Sequence, residues 1–209
     1  MPLYRGSRRL ILKRKVSAAV VATTTWNPSD KAAPIVLSGG NLTATWTSGS
    51  GFDAVRAIAS HSTGKFYCEF TNVLNNSAIV LGIENASQSL TGPVGDGTAG
   101  VQYNPFNGQI VSNFTIVSTI QTSANGDVIC MAVDLGATLI WIRTNGGNWN
   151  NSGAADPATG AGGASFSAIT SPPYYPAWAG HDGPPNDAVT ANFGGSAYAQ
   201  SVPAGFGNW

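Results

Sequence analysis

The chain has 209 residues, 43% of them hydrophobic and only 10% charged, and its ten basic and ten acidic residues cancel to zero net charge. That length suits one full-sized domain with a real core, and sandwich-type all-β units commonly reach it, so a second domain is not expected. With so little charge and no apolar run of membrane-spanning length, the composition excludes charged amphipathic helices and a transmembrane helix, and leaves solubility to neutral polar groups, a surface suited to packed assemblies.

The first 25 residues stand apart. Arg5, Arg8, Arg9, Lys13, Arg14 and Lys15 are six of the ten cations, and no acidic residue occurs before Asp30. From Val16 onward ten acidic residues face four basic ones, a formal charge of −6, so the sequence reads as a basic arm on an acidic body. A short basic terminus is often only solvated. Here Leu10, Ile11 and Leu12 sit among the cations, which suggests docking on a larger protein assembly, with the apolar residues inserted and the cations paired. Nucleic acid is the second docking surface, with a salt slope of about −0.9 per phosphate neutralised on duplex DNA. No aromatic platform or recognition helix accompanies the arm, so sequence-specific reading of bases is not expected. A membrane surface ranks third. Ser7-Arg8-Arg9-Leu10-Ile11-Leu12-Lys13 also resembles a twin-arginine export motif, but the cations at 13 to 15 interrupt the apolar run that must follow, and export is the lesser reading. Val16 to Thr25 reads as a linker or an added strand, giving an arm over residues 1–25 and a domain over 26–209.

Within the domain the pattern is β throughout. Asn27-Pro28-Ser29-Asp30 is a turn signal. Two-residue alternation marks Asn41 to Trp46 and Lys65 to Phe70. Gly92 to Gly97 is a connecting loop, lacking the Lys-Ser/Thr ending of a phosphate loop. Val128 to Val133 and Leu139 to Ile142 are short apolar runs joined by Asp134-Leu135-Gly136-Ala137 and closed by an Asn145-Gly146 turn, so an antiparallel strand pair is predicted. Ser152 to Ser165 reads as a long surface excursion with almost nothing to anchor it.

The ordered set of segments resembles SPRY domains. Gly126 to Gly146 is similar to the central hairpin of that family. Val55-Arg56-Ala57 followed by Ser62 to Phe70 resembles its "VRA…S-x-GKWYWEV" strand pair, and Gly82-Ile83 its next strand. Tyr175-Pro176-Ala177, Val189 to Gly194 and Pro203 to Phe206 resemble its closing strands. The resemblance covers roughly Trp26 to Trp209. It implies a concanavalin-like fold: an all-β, bent two-sheet antiparallel β-sandwich, here with an extended basic N-terminal arm, whose loops bind partners without specifying a ligand. Its spare Gly/Ser/Thr/Asn-rich form resembles the SPRY modules of bacteriophage structural proteins.

No catalytic constellation is visible. A glycosidase needs two facing carboxylates; the only glutamates are Glu69 and Glu84, Glu69 matches a structural position of the family, and nothing selects an Asp pair. There is no G-x-S-x-G elbow. Two histidines, His61 and His181, and no H-E-x-x-H or C-x-x-C spacing leave no metal site, and no cofactor is expected. Cys68 and Cys130 each sit in a predicted strand and read as buried thiols, with a single disulfide left open.

Recognition through loops remains, and local chemistry nominates three clusters. Trp149 with Asn150 pairs an aromatic platform with amides, a combination suited to a sugar or a peptide. Trp178, His181 and Asp182 form a second cluster, and Tyr103, Asn104, Phe106 and Asn107 a third. Each aromatic could instead pack a loop onto the sandwich, the preferred reading for Trp178; His181 and Asp182 favour exposure. The expected function is that of a non-enzymatic virion component, its arm fixed to a capsid, tail or fibre and its loops gripping a host glycan or surface protein, with self-association allowed. The alternatives are a free-standing adaptor and a secreted or cell-surface lectin.

Overall fold

In the computed structural model, residues 24–74, 79–95, 97–181 and 186–209 are described. The arm residues Arg5, Arg8, Arg9, Leu10, Leu12, Lys13, Arg14 and Lys15, and the loop residue Asp182, lie outside them. The strands are β1 (Trp26–Lys31), β2 (Ile35–Ser38), β3 (Thr43–Trp46), β4 (Asp53–Ala57), β5 (Lys65–Leu74), β6 (Val80–Asn85), β7 (Gly100–Asn104) and β8 (Gln109–Ser112). They continue as β9 (Thr115–Thr119), β10 (Val128–Asp134), β11 (Leu139–Thr144), β12 (Ala164–Ser165), β13 (Tyr174–Gly180), β14 (Ala188–Asn192) and β15 (Gly207–Asn208). Among the described residues two short 3-10 turns interrupt them, at Gly97–Ala99 and Trp149–Asn151.

One sheet runs β1-β4-β13-β6-β7-β8-β9, the other β12-β11-β10-β5-β14-β3-β2, all antiparallel; β15 adds a short parallel pairing to β5. The predicted strand pair is the β10–β11 hairpin, in register from Ile129↔Thr144 to Asp134↔Leu139. Alternation sorts its side chains by face. Ile129, Met131 and Val133 enter the main core between the sheets, opposite Val55, Leu81, Ile83, Tyr103 and Trp178. Cys130 and Ala132 point the other way, into an outer layer with Tyr67, Trp141 and Trp149.

That alternation closes the disulfide question. Met131 pairs with Cys68 and Cys130 with Glu69, so the two thiols lie on opposite faces of one sheet, and both are free and buried. Burial pushes both thiols up from their ordinary range.

Three local expectations are corrected. Asn27 to Asp30 does not precede the sandwich as a turn but lies within β1, as an irregularity in which Trp26 pairs with Ala57 and Lys31 with Val55. The Pro and the Asn27 side chain, which accepts the Ser29 N–H at 2.9 Å, bend the strand and swing Asp30 onto Arg56. Pro203 to Phe206 forms no strand; the closing strand is the two-residue β15 just beyond it. Ser152 to Ser165 is anchored after all. Trp141 Nε1 donates to Ala161 O at 2.8 Å, and β12 pairs with β11. Gly163 allows this close approach, since a Cβ there would stand 2.6 Å from the Trp141 ring.

Candidate binding surface

The described residues form no pocket, so a ligand would meet a surface. Its charged groups are mostly committed. Arg56, nearly buried on β4, holds Asp30 with two 2.8 Å bonds and Glu84 Oε1 with one at 3.0 Å, and also donates to Gln88 O at 3.0 Å. Glu84 takes the Gly95 N–H on its other oxygen at 3.2 Å. This cluster pins residues 86–95 over the outer face of the seven-stranded sheet. Burial outweighs Arg56 and the Gly95 N–H and raises the Glu84 carboxyl to about 7. Glu69 anchors a segment on the other sheet, accepting the N–H groups of Ala199 and Gln200 at 2.8 Å each and the Tyr67 hydroxyl at 2.7 Å. It thereby ties the C-terminal segment to β5, a structural role.

The first nominated cluster is packed rather than displayed. Trp149 is 8% exposed, its ring 4.3 Å from the Arg143 guanidinium and edge-on to Tyr67. Arg143 is fixed in turn by Ser201 O at 2.8 Å. Asn150, at φ 46°, spends its whole amide on the chain: Oδ1 accepts the Ile142 N–H at 2.8 Å, and Nδ2 donates to Ile140 O at 3.2 Å and Gly162 O at 2.9 Å. It rivets the long excursion to β11.

Trp178 is a fully buried core residue, because β13 continues to Gly180 rather than ending before it. His181 is half-buried just beyond, its ring stacked on Phe52 at 3.7 Å between centroids. Tyr103 is also fully buried, and its hydroxyl donates to Gln121 O at 2.6 Å. It buttresses the segment after β9 from inside.

The rest of the third cluster is displayed. Between β7 and β8, Asn104 Oδ1 accepts the Phe106 N–H at 2.9 Å and Asn107 Oδ1 accepts the Gln109 N–H at 3.0 Å. The two amides thus build the turn and leave the Phe106 ring, 70% exposed, outside it. At the other end of β8 the turn residues Asn113 and Phe114 have φ of 48° and 58°. Both angles are those of a type I′ hairpin, which normally takes Asn-Gly. A bulky residue at positive φ costs about 1–2 kcal/mol, yet Phe114 occupies it 75% exposed. Gly97 makes room for that ring, since a Cβ there would stand 3.3 Å from it. Ile116, paired with Val111 on the outward face, is 53% exposed. Sequence reasoning missed Phe114 and Ile116. The available signal was Asn-Phe in a hairpin position between two β-prone runs.

Among the described residues no group of three or more His, Cys, Asp or Glu could hold a metal, and no helix is long and apolar enough to cross a membrane. No family model and no curated protein matches the sequence. Solved structures do match by shape. The SPRY domain of human HERC1 superposes with a TM-score of 0.65 at 16% identity, covering 79% of this chain and 96% of that one. The TRIM65 PSpry domain gives 0.58 at 15%, covering 81% and 92%. The chain has a SPRY-like, concanavalin-like all-β fold.

Proposed function

We propose that this chain is a non-enzymatic, two-part binding protein: residues 1–25 anchor it to a larger assembly, and the sandwich of residues 26–209 presents a protein-binding surface. The observation that carries the binding half is Phe106, an aromatic side chain held in the open by two asparagine-built turns, the type of group that dominates binding energy at interfaces. The SPRY fold of the neighbours supports the same reading. Six cations around Leu10, Ile11 and Leu12 support the anchor.

The finer reading is a component of a bacteriophage virion, on capsid, tail or fibre, whose head decorates the particle or meets a host glycan or surface protein. It rests on the composition and motif resemblance. Repetition on a particle would let weak single contacts act together. The test is co-sedimentation of the full chain and of residues 26–209 with the particle. The full chain should travel with it and the head alone should stay in the supernatant; normal assembly of the head alone refutes the anchor. A Phe106→Ala head that still captures its protein partner refutes the binding surface, and a glycan array separates sugar from protein recognition.

A further inference from the structure

The strand that ends the seven-stranded sheet lacks the usual protection of an edge. From Gly97 to Gly126, thirty consecutive residues contain no Asp, Glu, Lys, Arg or His, and β7, β8 and β9 all lie in that span. Exposed edges ordinarily carry a Lys, a Pro or an inward charge that blocks pairing with another chain. β9 has none, four of its five residues are exposed, and among the described residues no strand pairs with its outer side. It is blunted by the register shift between Ile110 and Val111, which takes Val117 out of the ladder to β8, and by the approach of β12 from the other sheet, so side-chain burial is the larger part of any contact made there. Apolar side chains line the same edge: Phe114 at 75% exposure, Ile116 at 53% and Val117 at 38%.

We propose that β9 is a self-association surface, occupied by β9 of a second copy of this chain packed antiparallel about a twofold axis close to Ile116 and Val117. The charge pattern selects this occupant. A twofold contact sets residues near the axis against their own images, so any charge there would repel its copy, and this edge carries none. The sequence Thr115-Ile116-Val117-Ser118-Thr119 is nearly symmetric in size about Val117, so antiparallel apposition brings Thr115 to Thr119, Ile116 to Ser118 and Val117 to its own image with no charge set against another. Phe114 of each copy then covers the far end of the other's strand, which gives its strained, exposed position a use. The surface goes beyond the anchoring and partner-binding roles above and does not depend on them.

The test is sedimentation velocity on the full chain over a concentration series. Wild type should move toward twice the chain mass as concentration rises. Ile116→Lys and Ile116→Glu should each remain at one chain mass, because the two copies of position 116 are diagonal neighbours across the axis, where like charges repel, and an equimolar mixture of the two should recover the doubled mass. Phe114→Gly should weaken association by about tenfold or more while keeping or raising the Tm, which separates loss of the contact from loss of the fold. A wild type that stays at one chain mass, an Ile116→Lys chain that still doubles, or a mixture that fails to recover overturns the proposal. Any of these results with partner capture intact leaves the binding function standing.

Discussion

Trp149→Ala separates a packing role from a ligand platform. The side chain is 8% exposed in an outer layer with Tyr67, Cys130, Ala132 and Trp141, with Arg143 on its face. Truncating a buried aromatic costs about 3–5 kcal/mol. Trp149 lies at the margin of its cluster, where water can enter the space left behind, so the low end applies, about 3 kcal/mol with the lost Arg143 contact included. For a domain of this size each kcal/mol moves Tm by about 2–4 °C, so calorimetry should show a fall of roughly 6–12 °C. Trp149→Phe should recover part of it. A double-mutant cycle with Arg143→Met should return a coupling of about 1 kcal/mol. An unchanged Tm together with lost partner capture would refute the packing argument and return Trp149 to the binding surface.

Asn150→Ala removes three hydrogen bonds and strands the buried Ile142 N–H, so urea denaturation should show a loss of about 2–4 kcal/mol. Gly163→Ala should also destabilise, since its Cβ would meet the Trp141 ring at 2.6 Å, and limited proteolysis should then cut within 152–163. Phe114→Gly should stabilise by about 0.5–1 kcal/mol, the relief of positive φ less the added freedom of glycine in the unfolded chain. Glu84 gives a pH signature. Between pH 4.5 and about 7 the folded chain keeps a proton that the unfolded chain releases, so this group's contribution to stability falls as pH rises through that window. Glu84→Gln should remove that slope relative to wild type, and parallel pH curves for the two proteins would refute the assignment.

The fold was legible because its signals are local and periodic. Alternation in Lys65 to Phe70 marks which side chains face the core, the unbroken apolar run Val128 to Val133 marks a strand buried on both faces, and in the structure the two are adjacent, paired Val133↔Phe66 through Ile129↔Phe70. The misreadings arose where long-range contacts decide. Ser152 to Ser165 carries no apolar anchor of its own; what holds it is Trp141, Asn150 and a glycine that fits against an indole, groups supplied partly from β11. Trp178 looked like a loop aromatic because a strand's end cannot be placed to a residue from propensity, and the continuation of β13 puts its ring inside; Tyr103 reads with its polar neighbours as a loop, whereas it lies within β7. Phe114 escaped notice for the opposite reason: its φ is imposed by the hairpin against the preference of the residue.

The acidic body read from the sequence takes on a different meaning once its partners are counted. Asp30, Asp53, Glu69, Glu84, Asp127, Asp134 and Asp156 each accept a hydrogen bond from this chain, from Arg56, Trp46, Tyr67 or backbone N–H groups among others. The remaining described carboxylate, Asp187, is fully buried. Most of the negative charge therefore bends turns and ties loops to sheets. It is not displayed as a field to attract a cationic partner. A glycosidase pair needs two carboxylates facing a common substrate; Glu69 and Glu84 lie on different sheets, each enclosed by its own donors. What the head shows outward is neutral and apolar: Phe106 on the partner-binding loop, and Phe114 and Ile116 on the edge assigned to a second copy. A partner that fits such a surface gains by burying rings and β-branched side chains, so its binding to the head should depend little on salt. Attachment through the six arm cations should weaken steeply as salt rises. Titrating salt against the full chain and against residues 26–209 resolves the two contributions, and a steep salt dependence in the head alone would refute this division.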